Sequence, residues 1–153
     1  MAVRFLTHNI SFNLRDRSST RNWIRDCIAE EGKLPGDITF VFVNDRFLLG
    51  LNKKFLGHHY LTDVITFDYT LPVNLSEKQK TGKNRGAPGV INGDIFISID
   101  RVRENSGHYQ SSFVEELNRV MIHGVLHLCG ISDKSIVKRE EMRKMENYYL
   151  KRL

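Results

Sequence analysis

Two histidines, His123 and His127, stand four residues apart in the run HGVLHLCG. The segment around them reads as helix, and residues at i and i+4 share one helix face with Cβ atoms about 5–6 Å apart. Two imidazoles so placed can close on one zinc ion at Zn–N distances of about 2.0–2.1 Å. A zinc ion held this way is suited to hydrolysis. A bare HxxxH also arises as two unrelated histidines on a half-buried helix face, and two glycines tip the weighing towards a site. Gly124 lies inside the helix, where glycine costs ~1 kcal/mol relative to alanine. It therefore needs a reason, such as close approach of a ligand or of another backbone. Gly130 follows the pair, where a helix-ending glycine lets the chain turn back towards an ion.

Catalytic zinc usually has three protein ligands and a water, so the pair needs a third donor. Asp133 lies six residues beyond His127, within reach of a turn at Gly130. It suits the cap of a final helix equally well. Cys129 is two residues from His127, hence on a different helix face, and reads as core. His58 and His59 are adjacent loop histidines, a reserve of ligands that otherwise face solvent or RNA. Position 124 is Gly where an HExxH metalloprotease carries its glutamate base. That disfavours protease chemistry.

The elements that must position these residues follow from period and punctuation. VRFLT and ISFNL, at the start of the chain, alternate at period two and read as strands. Ser18, Ser19 or Thr20 can cap a helix that runs to about Glu31 and stops at Gly32, with Trp23, Cys27 and Ile28 on one face. ITFVFV, residues 38–43, reads as a central strand. Asn44 or Asp45 can cap a helix through Phe55. DVITFD is a third strand and GDIFISI, from Gly93, a fourth. Between them, residues 70–92 hold two of the three prolines and read as a long loop, a feature that is more often functional or disordered than incidental. A short helix is expected near residues 100–106. The histidine helix runs from Ser111 or Ser112 to Cys129, with Ser112 and Glu115 matching a capping box. A last helix covers about Ser135–Leu150. Strands interleaved with helices, then helices alone, give an α/β or α+β sandwich.

The chain has 153 residues, which fits one domain. A domain of that size buries roughly 70% of its unfolded surface, so it needs no metal or disulfide to fold. No stretch approaches the ~18 apolar residues of a membrane span. The N-terminus lacks a signal-peptide core, and Cys27 and Cys129 form no CxxC unit. Reduced thiols and a cytoplasmic location are expected. A net charge of +5 is compatible with a polyanionic partner such as RNA.

Three segments together resemble the YbeY family, metal-dependent endoribonucleases of bacterial ribosomal-RNA maturation. HGVLHLCGISD, residues 123–133, is similar to the family run H-G-x-L-H-L-x-G-Y-D-H. LNKKFLGHHYLTDVITF, residues 51–67, resembles L-N-x-x-Y-R-x-x-x-x-x-T-D-V-L-S-F. GDIFIS, residues 93–98, resembles the strand preceding the histidine helix. Order, spacing and length agree over about the whole chain. The resemblance implies a zincin-like α+β fold, with a mixed sheet of about four strands packed against helices in a single domain, residues 1–153. It implies one zinc ion on His123, His127 and Asp133. Asp133 stands where the family usually has a third histidine, and zinc accepts carboxylate oxygen at about 2.0–2.2 Å. It also implies that zinc lowers the pKa of a water from 15.7 towards ~7, so that hydroxide attacks an RNA phosphodiester.

The family's arginine implicated in activity is Leu56 here, with Lys53, Lys54, His58 and His59 as nearby substitutes. Asp63 and Asp94 are candidate acid–base groups that also suit strand-end hydrogen bonding. RNA contact is expected from Lys53, Lys54, Lys78, Lys80, Lys83 and Arg85. A second basic series is Lys134, Lys138, Arg139, Arg143 and Lys144 on the last helix. Two other functions fit the same residues. One is a metal-dependent hydrolase of a small substrate. The other is a non-catalytic, RNA-binding ribosome-assembly factor with structural zinc.

Overall fold

The computed structural model describes residues 2–70 and 89–153. Lys78, Lys80, Lys83 and Arg85, within the expected loop, lie outside the described residues. The elements run β1 (Ala2–Thr7), α1 (Arg17–Glu30), β2 (Leu34–Val43), α2 (Asp45–Leu56), β3 (Val64–Asp68), β4 (Val90–Ser98), α3 (Ile99–His108), α4 (Phe113–Leu128) and α5 (Ile136–Leu150). The sheet order is β1-β2-β4-β3. β1, β2 and β4 are parallel, and β3 runs antiparallel to β4 along one edge. This is the expected mixed four-stranded α+β architecture.

Both faces of the sheet are covered, which explains the nearly continuous apolar run of β2. On one face Ile38, Phe40 and Phe42 of β2 and Ile95 and Ile97 of β4 pack with Trp23, Ile24 and Ile28 of α1 and Met121 and Val125 of α4. On the other, Val43 and Ile65 meet Leu48 of α2, with Val41, Phe96 and Phe67 beside them. The Asn44 side chain accepts the Phe47 amide at 2.8 Å and starts α2. Ser112 does the same for Glu115 at 3.1 Å and starts α4. The indole of Trp23 donates to the Tyr149 carbonyl at 2.9 Å, fastening α5 to α1.

Gly124 has a packing reason, and neither a ligand nor a backbone supplies it. A Cβ there would come within 2.8 Å of Ile95 Cγ2 and 3.4 Å of Thr66 Cγ2. The missing side chain lets α4 ride close beneath β3 and β4. The histidines on either side of that contact are thereby fixed relative to the sheet.

Four boundaries differ from the sequence reading. ISFNL is not a strand: the chain leaves the sheet at Asn9, which has φ 57°, while Ile10 and Phe12 pack on the core. The alternation there records burial without a strand partner. Helix α1 starts at Arg17 and its cap is Asp16, itself left-handed at φ 54°. Strand β2 begins at Leu34, through Pro35 and Gly36, with its register shifted before Ile38. Strand β4 begins at Val90 rather than Gly93, pairing Val90 with Leu34. Asn92 explains the shared irregularity. Its Oδ1 accepts the Asp37 amide at 2.9 Å, and a Cβ on residue 36 would strike that oxygen at 2.3 Å.

Candidate metal centre

Helix α4 ends in a Schellman motif that carries the chain back over its own last turn. The Ile131 amide bonds the Leu126 carbonyl and the Gly130 amide bonds the His127 carbonyl, each at 3.0 Å. Gly130 takes φ 96°, and Ile131 packs on the core. The reversal delivers Asp133 to the histidines. Ser135, not Asp133, caps α5, accepting the Lys138 amide at 3.1 Å. The capping role that competed for Asp133 is therefore taken by another residue.

The three side chains meet. His123 Nε2 and His127 Nε2 are 3.0 Å apart. Asp133 Oδ2 lies 3.5 Å from His123 Nε2 and 3.3 Å from His127 Nε2. Donors held at about 2.0–2.2 Å from one tetrahedral ion are separated by roughly 3.3–3.5 Å. The two carboxylate–imidazole separations match that range and the imidazole pair lies a little inside it, so the donor set suits a single ion. Among the described residues this is the one cluster of three or more His, Cys, Asp or Glu able to hold a metal. The side chains are 23%, 27% and 35% exposed, so one side of the triangle stays open to solvent.

The ring of His123 is held from behind. Its Nδ1 lies 2.6 Å from Glu146 Oε2. Glu146 is buried and takes a second hydrogen bond from Arg119 at 3.1 Å. Arg119 also donates to Asn147 Oδ1 at 2.7 Å. A carboxylate on the far nitrogen fixes the tautomer of a metal-binding histidine and raises its basicity. Glu146 is a site residue that the sequence reading did not single out. The signal for it is its phase, because Met142, Glu146 and Tyr149 form the buried stripe of α5.

The electrostatics divide the pair. Burial opposes charge on His123 and is the largest single influence. The hydrogen bond and charge of Glu146, with Asp63 and Asp133, outweigh it and raise its pKa. Burial, then the charge of His123, lower that of His127 despite Asp133. The two imidazoles are thus pushed in opposite directions across the 3.0 Å contact.

The other expected site residues separate. Asp63 lines the clefts on both sides of His123 and Asp133, and burial pushes its carboxyl above the usual range. Asp94 shares the sheet face of Phe96, away from the histidines, and accepts from Tyr69 Oη at 3.2 Å. His58 stacks on exposed Tyr60 and, with His59, is outside the cluster. Cys129 packs on the core, where burial pushes its thiol up to about 12. Leu56 lines the cleft along β3; Lys53, Lys54, His58 and His59 line neither cleft. Arg139 and Arg143 of the α5 series do line the larger one.

A mixed sheet backed by a histidine helix, with a turn-borne carboxylate facing an open cleft, is an arrangement able to hold a metal ion for hydrolysis. The model of the endoribonuclease YbeY family matches residues 6–153. The chain belongs to that family. Relatives named endoribonuclease YbeY include one from Flavobacterium psychrophilum, 43% identical over 94% of this chain and 91% of the relative. Another, from Bacteroides thetaiotaomicron, is 38% identical over 96% of each chain. The solution structure of TM1509 from Thermotoga maritima shares the fold, with a TM-score of 0.58. That likeness covers 98% of this chain and 87% of the other at 23% identity.

Proposed function

We infer that this chain, as one domain over residues 1–153, is a zinc-dependent endoribonuclease. Its substrate is single-stranded ribosomal RNA or its precursors, and its place of action is the cytoplasm, during ribosome maturation. Family membership supports the reaction class. The observation that carries the metal is the triangle of His123, His127 and Asp133, with donor separations of 3.0, 3.3 and 3.5 Å. Two histidines and a carboxylate suit zinc. A structural zinc is closed off by four protein ligands, whereas these three face open clefts, which favours catalysis over a purely structural ion.

When bound, zinc supplies a Lewis acid for the phosphodiester and activates water at neutral pH. The chain's own groups do the rest. Glu146 keeps His123 Nδ1 protonated and its Nε2 turned to the site. Asp63, beside His123, is the carboxyl placed to hold a proton during the reaction, and its raised pKa brings it nearer to neutral pH. Asp133 lends the site negative charge where a histidine would add none.

The test is metal content and cleavage measured together. Purified protein should hold one zinc and cut single-stranded RNA, and His127→Ala should lose both. A double variant, His123→Ala with His127→Ala, that kept wild-type zinc would sink the ligand assignment. Cleavage that persists in His127→Ala after rigorous purification would sink the catalytic one.

A further inference from the structure

The larger cleft beside the metal centre is asymmetric in its charges. Its floor carries Glu116 and Glu146, both buried, and Arg119 there is already committed to Glu146 and Asn147. Its rim is different. Arg139 and Arg143, one turn apart on α5, are exposed. Neither forms an ion pair among the described residues. Between them in sequence, Glu140 is the rim's exposed carboxylate.

Facing them is Tyr109, at the end of α3. Its amide bonds the Asn105 carbonyl at 2.9 Å, and the Ser111 amide bonds that of Ser106 at 3.0 Å, so the turn beneath it is fixed. Its side chain is nevertheless 57% exposed. The Arg143 guanidinium carbon lies 5.9 Å from its ring centroid. An aromatic ring beside unpaired guanidinium groups is the combination that holds single-stranded nucleic acid: the ring stacks a base and the cations track the backbone. The cleft measures about 570 Å³, within the range of roughly 300–1,000 Å³ that small-ligand sites occupy. It shares Asp63, His123 and Asp133 with the second cleft along β3, whose other lining residues include no lysine or arginine.

We propose that Tyr109, Arg139 and Arg143 form the subsite for a nucleotide flanking the scissile phosphate, Tyr109 stacking its base and the arginines binding its phosphates. This rests on the endoribonuclease reading. The strand crosses the metal centre and is gripped on the α3–α5 side, where the exposed cations are. The β3 side, lined by Leu56 and Thr62, holds it by shape.

The experiment is binding of a labelled single-stranded RNA to zinc-loaded full-length protein, with zinc content as the check on site integrity. Tyr109→Ala should weaken binding roughly 5- to 100-fold, the range for loss of one stacked base. Tyr109→Phe, which keeps the π-face, should restore it. The penalty should disappear on an oligonucleotide lacking bases. Arg139→Gln with Arg143→Gln should reduce the slope of log affinity against log salt by about 1.4, two single-strand phosphate contacts. Lys53→Gln with Lys54→Gln, off both clefts, should change it less.

Equal slope changes in the two double variants would overturn the subsite, since the arginines would then act only through general charge. So would wild-type affinity in Tyr109→Ala. In both cases RNA cleavage by the wild-type protein leaves the enzymatic reading standing. Wild-type protein that holds zinc but neither binds nor cuts RNA removes both.

Discussion

His123 is gripped at both ring nitrogens, Nδ1 by Glu146 at 2.6 Å and Nε2 by the site. Outer partners of this kind are typically worth 10–100-fold in metal affinity. Glu146→Gln should therefore weaken zinc binding by about that factor in a chelator competition, with the fold intact by circular dichroism. Unchanged affinity would show that the ring is oriented by packing alone. Proton linkage gives a second expectation. The raised pKa of His123 stabilises the folded metal-free protein fully below the ordinary imidazole value. That contribution is lost as pH climbs through the raised one. His127 works oppositely: its pKa is lowered, so stability falls as pH drops from the ordinary value to the lowered one. Zinc must displace the His123 proton. Apparent zinc affinity should rise across about pH 5 to 8 and keep rising above the ordinary histidine value. In Glu146→Gln the rise should end at lower pH. A plateau at the same pH in both proteins would count against the Glu146 hydrogen bond as the cause.

At the scale of elements, α4 is positioned by an absence. Gly124→Ala adds helix propensity, about 1 kcal/mol, but drives a Cβ to 2.8 Å from Ile95. Overpacking of this kind costs about 1–3 kcal/mol. The variant should melt at a lower temperature and bind zinc more weakly, because the helix must lift from β4 and carry both histidines with it. A higher melting temperature with unchanged zinc affinity would refute that account. The sequence reading found α4, its capping box and its paired histidines, because each is written in local chemistry: Ser112 three residues before Glu115, histidines four apart, Gly130 past the end. Spacing left Asp133 open between ligand and cap; the Schellman reversal sets it beside the histidines, and Ser135 caps α5 in its place. What stayed hidden depends on distant partners. ISFNL alternates like a strand but has no strand to pair with. The early starts of β2 and β4 rest on Asn92 reaching across to residues 36 and 37. Glu146 serves the site from a helix 23 residues away in sequence, and only its buried phase on α5 marked it.

For the whole molecule, the core and the metal centre are separable. The buried cluster runs from Val3 through α1, β2, β4 and α4 to Tyr149 without including His123, His127 or Asp133. Chelation should therefore abolish RNA cleavage while leaving the helical signal unchanged. Restoring free zinc to about 100 times its Kd should raise stability by about 2.7 kcal/mol through mass action alone. Collapse of the fold on chelation would make the ion structural. The order in which the parts leave the ribosome adds a consequence. Domains fold as units during synthesis, and β1 to β4 precede His123, His127 and Asp133 in the chain. His123 is held by Glu146, Glu146 by Arg119, and the helix that carries Glu146 by the Trp23–Tyr149 clasp. A nascent polypeptide thus has all four strands made before it holds the residues of the candidate centre. An enzyme that cuts RNA gains that power only once α4 and α5 have both joined the sheet.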